Sequence, residues 1–228
     1  MTEIGPPFAR AVVWASALHR GQRRKGTNTP YAAHPLAVAG LVLADGGNET
    51  EAVAALLHDV IEDCGVRPRK IRRRFGRKVA RIVKGCTDDL PGQRKARRKT
   101  KAAGKQKAGA EANGARGPET WRARKERLVA HLADPTTSRS VLRVKAADSL
   151  DNARSIVADL RRVGPEVWQR FNAGAVDQLW YYRSLANVLG ARHPGVLTDE
   201  LRAVVHDMET LAGWWFDVGD PQEPKRAR

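Results

Sequence analysis

Residues 52–64, AVAALLHDVIEDC, set four ionisable side chains into a segment that otherwise reads as a buried helix. At 3.6 residues per turn His58 stacks on Glu62 and Asp59 on Asp63, so the four fall on one broad stripe flanked by Ala54, Ala55, Leu57 and Ile61. An isolated carboxylate resists desolvation and normally pairs, coordinates a metal or shifts its pKa. Three acids and an imidazole clustered on this stripe therefore call for a cation. A solvated helical face is the competing reading of the same periodicity.

Working outward, the flanking segments are also helical. Upstream, FARAVVWASAL (8–18) has apolar residues at helical spacing and runs into the polar, basic loop HRGQRRKGTNTP (19–30). In YAAHPLAVAGLVLADGG (31–47), Leu36, Val38, Leu41, Val42 and Leu43 make a strongly apolar helix that Gly46 and Gly47 end, with His34 at its start. Asn48 or Thr50 is expected to cap the next helix, which carries the opening stretch. Downstream, VRPRKIRRRFG and RKVARIVKGCTDD read as two short basic helices with Ile71, Phe75, Val79, Ile82 and Val83 turned inward. Helix resumes over Glu119 to Ala133, and a long one runs from Ser138 to Val163, stopped by Gly164 and Pro165. In the long helix Lys145, Asp148, Asn152, Ser155 and Asp159 make a polar stripe opposite Leu142, Leu150, Ala153, Val157 and Leu160. Ala146 and Ala147 leave room for something to approach Asp148, although such an acid taken alone is more often an exposed helix position. The last two predicted helices, 165–189 and 197–215, carry Trp168, Trp180, Tyr181, Tyr182, Trp214 and Trp215 at spacings that suit a core. No strand appears, so the fold class is all-α, a bundle of roughly eight to ten helices.

Composition bounds this reading. A chain of 228 residues with 42% hydrophobic content supports one core, and one domain over 1–228 with an insertion is the simplest organisation. No apolar run is long enough to span a bilayer, and the start of the chain lacks a basic region leading into a cleavable apolar stretch, so no membrane partner and a cytoplasmic location are expected. Cys64 and Cys86 have neither zinc-knuckle nor disulfide-framework spacing and read as reduced core thiols. The charge is local: residues 67–107 hold 18 lysines and arginines against Asp88 and Asp89, which accounts for the whole net charge of +16. One basic segment on a neutral body suggests a local anion site, a tail-like arm, or both. Overlapping its end, residues 91–118 contain no large apolar side chain and are expected to be a disordered, basic, low-complexity insertion.

A His–Asp pair, a second His opening an earlier helix and an Asp from a later one suit a Mn²⁺, Fe²⁺, Co²⁺ or Zn²⁺ site, and the absence of thiolates favours manganese or iron. Such a site polarises a phosphoryl oxygen and lowers the pKa of a water that an adjacent acid pair can orient or deprotonate. Metal-assisted hydrolysis of a phosphate ester is the chemistry that follows.

The motifs HRGQRRKGTNTPYAAHPLAVA (19–39), AALLHDVIEDC (54–64), FGRKVARIVKGCTDD (75–89), VKAADSLDNAR (144–154) and YYRSLANVLG (181–190) resemble, in order, those of the RelA/SpoT hydrolase domain. Its stand-alone form is the small alarmone hydrolase, as in metazoan SpoT homologues. A bare HD dipeptide is weak, but HDxxED with an upstream YxxHP and a downstream AD-x-L-x-N-x-R is specific. The resemblance implies an all-helical HD-domain bundle, a Mn²⁺ ion and removal of the 3′-pyrophosphate of guanosine polyphosphates such as ppGpp. It further implies that His34, His58, Asp59 and Asp148 are metal ligands and that Glu62 and Asp63 activate water. By the same resemblance Arg24, with Lys25 beside it, packs on the purine, while Asn152 and Tyr182 contact the nucleotide.

The chain departs from the family at Ser149, where a basic residue is usual, and at Asp151, where His or Tyr is usual. Losing a cation and adding an anion near the pocket would weaken its attraction for a polyphosphate. The insertion, with Arg94, Lys95, Arg97, Arg98 and Lys99, follows the stretch where relatives place phosphate-contacting cations and can restore that charge on an arm. No synthetase domain is expected after Gly190. Two other functions fit the residues less fully: an HD phosphohydrolase acting on ppApp, NADPH or another phosphorylated nucleotide, and an RNA- or ribosome-binding protein that uses segment 67–107 beside a vestigial site. The sequence leaves oligomeric state open.

Overall fold

Helix starts and stops alternate along the chain. The computed structural model, which describes residues 3–88 and 120–217 apart from the side chains of 214–217, turns them into eight α-helices and one 3-10 helix. Pro6 opens α1 (Pro6–Leu18), where a missing N–H leaves no bond unmade. Glu49 Oε1 accepts the Gly5 and Phe8 N–H groups at 2.8 and 3.3 Å, so a residue of a later helix caps an earlier one. α2 (Ala33–Ala44) ends at Asp45, and Gly46 at φ 74° turns the chain back. Asn48 caps α3 (Glu49–Leu56) through a capping box: its side chain accepts the Glu51 N–H at 3.2 Å and Glu51 accepts the Asn48 N–H at 2.9 Å.

The opening stretch departs from its predicted shape. Helix α3 stops at Leu57 (φ −111°, ψ 4°), and residues 57–64 are successive turns rather than α-helix. Past that point the Ala55 carbonyl, to which a continuing helix would bring the Asp59 N–H, accepts from His58 instead, through Nδ1 at 2.7 Å and the backbone N–H at 3.5 Å. The quartet therefore shares no helical stripe, and each member points where the turns send it.

Both predicted basic helices form within α4 (Pro68–Cys86), separated at Gly76, whose φ of 89° and ψ of 172° are non-helical. Ile71, Val79, Ile82 and Val83 are buried and Phe75 packs half-buried against the core. α5 (Trp121–Ala133) starts at a Thr120 cap, and α6 (Arg139–Val163) at a Ser138 cap. Gly164 at φ 66° ends α6, and a 3-10 helix, Gly164–Arg170, follows. The helix predicted over 165–189 is thus two elements, with an extended break at Phe171 before the Gly174 cap of α7 (Ala175–Arg192). The last is α8 (Val196–Asp217).

α6 is the axis: it packs against α2, α3, α4, α7, α8 and the 3-10 helix, and Val144 to Leu150 are buried on every side. That corrects the polar stripe, because Lys145 and Asp148 lie in the interior. Trp168, Tyr181 and Tyr182 are buried as expected and Trp180 is half-buried. Cys86 is buried and Cys64 half-buried, and neither is in a disulfide among the described residues. Among the described residues there is no strand beyond one isolated bridge, Arg23 to Pro30, and no helix long and apolar enough to cross a membrane. The segment 91–118, Trp214 and Trp215 lie outside the described side chains.

Candidate functional site

Three separate segments deliver the site. The first turn of α2 brings His34, the turns after α3 bring His58 and Asp59, and the middle of α6 brings Asp148. His34 Nε2 and His58 Nε2 lie 3.1 Å apart, and Asp148 Oδ1 is 3.2 Å from the first and 3.4 Å from the second. Asp59 Oδ2 is 3.0 Å from His58 Nε2 and 3.7 Å from His34 Nε2. Ligand atoms of His34, His58 and Asp148 all fall within 4.8 Å of one another, as a shared ion requires.

The outer edge of each ring sets its chemistry. His58 Nδ1 faces the Ala55 carbonyl and His34 Nδ1 faces Asp151 Oδ2 at 2.6 Å, neither of which can donate. Each Nδ1 therefore carries the proton and donates it, leaving both Nε2 lone pairs aimed at each other and at two carboxylates. Four electron-pair donors bearing two negative charges fit a divalent cation of the first transition row. Without one, protons take its place: burial works to lower His58, but Asp59 and Asp148 outweigh it and hold the ring well above its ordinary value. Burial works to raise Asp148, and Lys145, at 2.7 Å, and His58 hold it well below the usual carboxylate range.

Next to this cluster opens a cleft of about 280 Å³ lined by Asp59, Glu62, Asp63, Asp88, Asp148, Lys125 and Lys145, with Tyr31, Trp121, Phe171, Tyr181 and Tyr182 among the rings. Even with Glu62 protonated, four carboxylates against two ammonium groups repel a polyphosphate, so an anionic ligand needs a cation bound there first. Glu62 is half-buried and accepts the Asp88 N–H at 2.9 Å; desolvation of its carboxyl, then Asp88 and Asp59, push it up to about 8. Asp63 is exposed and accepts from Gln22 Nε2 at 2.7 Å.

The structure brings Asn152 and Tyr182 to the cleft, Tyr182 also being buried in the core. Asn152 Nδ2 donates to Asp148 Oδ1 at 2.6 Å and its Oδ1 accepts from Arg24 Nη1 at 3.0 Å, which places Arg24 behind Asn152. Lys25 stands apart, exposed, with Nζ 5.1 Å from the centre of the Phe171 ring. Ser149, one of the departures, bonds the Lys145 carbonyl on α6. The other, Asp151, is not the anion in the pocket that its position suggested: it turns to His34 and to Arg24 Nη2 at 3.5 Å.

Sequence reasoning did not place Tyr31, Lys125, Lys145 or Asp88 at the site. Tyr31 donates to Asp59, and Lys125 bonds Asp88 Oδ2 at 2.7 Å while lying 4.7 Å from the centre of the Tyr181 ring. Tyr31 had a signal in its place three residues before His34; Lys125, beyond the insertion, had none.

The family model described as HD domain matches residues 11–179. A Xenopus tropicalis protein named guanosine-3′,5′-bis(diphosphate) 3′-pyrophosphohydrolase MESH1 is 34% identical over 163 residues, covering 69% of this chain and 72% of that protein. An Aquifex aeolicus protein named guanosine-3′,5′-bis(diphosphate) 3′-pyrophosphohydrolase is 47% identical over 79 residues, 34% of this chain, and this chain spans only 11% of its length. Among solved structures, one described as a metazoan orthologue of SpoT that hydrolyses ppGpp superposes with a TM-score of 0.64 at 23% identity, over 90% of this chain and 97% of that one. That likeness shows the fold.

Proposed function

We propose, from the premise that this chain belongs to the HD-domain family together with the MESH1 proteins, that it is a 3′-pyrophosphohydrolase of guanosine polyphosphates, releasing pyrophosphate from ppGpp or pppGpp. The observation that carries the reading is the meeting of His34, His58, Asp59 and Asp148 beside an acid-lined cleft. We read the whole chain as one such domain interrupted at 91–118, and two cysteines that form no disulfide among the described residues accord with a cytoplasmic setting.

His34, His58, Asp59 and Asp148 would hold the metal, and with no thiolate in the set Mn²⁺ is the ion we favour over Fe²⁺, Co²⁺ or Zn²⁺. A divalent cation held there neutralises charge on a phosphoryl oxygen and acidifies water. Glu62 takes up and returns the proton, its carboxyl poised above the ordinary carboxylate range by burial and by Asp88 and Asp59, and Asp63 orients the attacking water from the open side. Tyr31 fixes Asp59 by donating to it. Lys125 and Lys145 supply positive charge to the phosphate chain. Asn152 and Tyr182 contact the nucleoside; Arg24, now bonded behind Asn152, would have to turn out of that bond to stack on the purine, with Lys25 beside it; a guanidinium plane stacks on either purine, so these contacts select for a nucleotide more than for guanine.

The test is a Mn²⁺-supplemented assay across ppGpp, pppGpp, ppApp and NADPH scored as kcat/KM. The guanosine polyphosphates are expected to lead; a clear preference for ppApp or NADPH would move the substrate while leaving the site in place. A second reading, weak nucleic-acid contact through segment 67–107, is favoured by the cation row on α4. Pro68–Cys86 contains nine lysines and arginines and no acid, and among the described residues none of them is in an ion pair. RNA affinity that falls steeply with salt and is lost when Arg69, Arg73 and Arg77 become glutamine is its expected signature.

A further inference from the structure

Asp151 sits where the family resemblance calls for His or Tyr, and its carboxylate does two things at once. Oδ2 accepts the proton of His34 Nδ1 at 2.6 Å and lies 3.5 Å from Arg24 Nη2. Arg24 Nη1 in turn donates to Asn152, and Asn152 to Asp148. Asp148, Asp151 and Asn152 stand three and four residues apart on α6, so one turn of that helix closes a ring that runs Arg24, Asp151, His34, Asp148, Asn152 and back to Arg24. His34 is almost wholly buried, with 1% of its side chain exposed, and the side chains of Asp151 and Arg24 are 22% and 16% exposed.

We propose that Asp151 is a positioning residue that locks the orientation and tautomer of His34 toward the bound cation and at the same time anchors Arg24 behind Asn152, so that the cation site and the arginine supporting the nucleotide-contacting asparagine are set by one carboxylate. The proposal rests on the metal-site reading above. The physical basis is general: a carboxylate on the far nitrogen of a ligating imidazole fixes its tautomer and raises its basicity, and removing such a partner weakens metal affinity by about 10–100-fold. The usual His or Tyr at this position would bring a ring where the carboxylate now pairs with a guanidinium, so the anion added here faces away from the cleft rather than into it.

The test titrates Mn²⁺ into cation-free protein and into five variants, Asp151→Ala, Asp151→Asn, His34→Ala, Arg24→Ala and Arg24→Ala with Asp151→Asn, with cooperative melting of each cation-free variant as the check on folding. Asp151→Ala is expected to weaken Mn²⁺ binding by about 10–100-fold. Asp151→Asn, which still accepts from Nδ1 but brings no charge to Arg24, is expected to weaken it by less while raising KM. In an Arg24→Ala background, Asp151→Asn should add nothing further to KM yet keep its effect on Mn²⁺. Mn²⁺ affinity in Asp151→Ala within about twofold of the parent, with His34→Ala abolishing binding, would overturn the role of Asp151 alone. Undiminished binding in His34→Ala would overturn the metal-site reading itself, and the role of Asp151 with it.

Discussion

At the scale of single residues, Glu62 ties the site to pH. Its carboxyl ionises near its ordinary value of 4.5 in the unfolded chain and is pushed up to about 8 in the folded one by burial, Asp88 and Asp59. The folded protein therefore holds a proton that the unfolded chain has released, and this contribution, fully present below 4.5, is lost as pH rises through 8. For cation-free protein kept in chelator, Glu62→Gln preserves the acceptor for the Asp88 N–H and removes the ionisation; its melting temperature is expected to exceed that of the parent at about pH 8, the gap closing toward about pH 5. A gap that widens toward acid would contradict the assignment. That His34, His58 and Asp59 would be brought together was legible in the sequence through HDxxED and the upstream YxxHP, and Asp148 through its place in the AD-x-L-x-N-x-R motif. Asp151 was legible only as an oddity, since its partner His34 lies 117 positions away and no local pattern announces that pairing.

At the scale of elements, helix starts and stops could be read from residue type. Asn48, Thr120 and Ser138 cap where short polar side chains precede apolar periodicity, and Gly46 and Gly164 stop helices where positive φ is needed. The turns of 57–64 could not, because helical periodicity continues through the stretch while the Ala55 carbonyl is taken by the His58 side chain and N–H rather than by Asp59. Gly76 divides α4 at φ 89° and ψ 172°, a region essentially closed to residues with a Cβ. A Cβ built there meets nothing within 4 Å, so the cost of Gly76→Ala is backbone strain alone, about 1–3 kcal/mol. By the size scaling of unfolding entropy each kcal/mol lowers the melting temperature by about 2–4 °C, which calorimetry resolves. An unchanged melting temperature would mean that the break in α4 is not fixed as described.

At the scale of the whole molecule, α6 makes the site possible: it runs through the centre, touches most other helices and carries Asp148 on the same buried turns as Leu142 and Leu150. Leu150 is fully buried, and Leu150→Ala is expected to cost about 2–5 kcal/mol in stability, measured by denaturant unfolding. The all-α class followed from the lack of any strand pattern, while the central burial of α6 did not, because Lys145 and Asp148 satisfy each other and so pass for a solvated stripe in the sequence. The charge separates likewise, with an acid-lined cleft on one part of the fold and, on another, the cations of α4, which make no ion pair among the described residues. What joins these levels is the claim that His58 and its partners hold a divalent cation that hydrolysis requires. Pyrophosphate release from ppGpp by the parent protein and by His58→Ala, each with Mn²⁺ and each in chelator, tests it directly. Release by the parent with Mn²⁺ and none in the other three conditions is the predicted result; a rate in His58→Ala equal to that of the parent would contradict it.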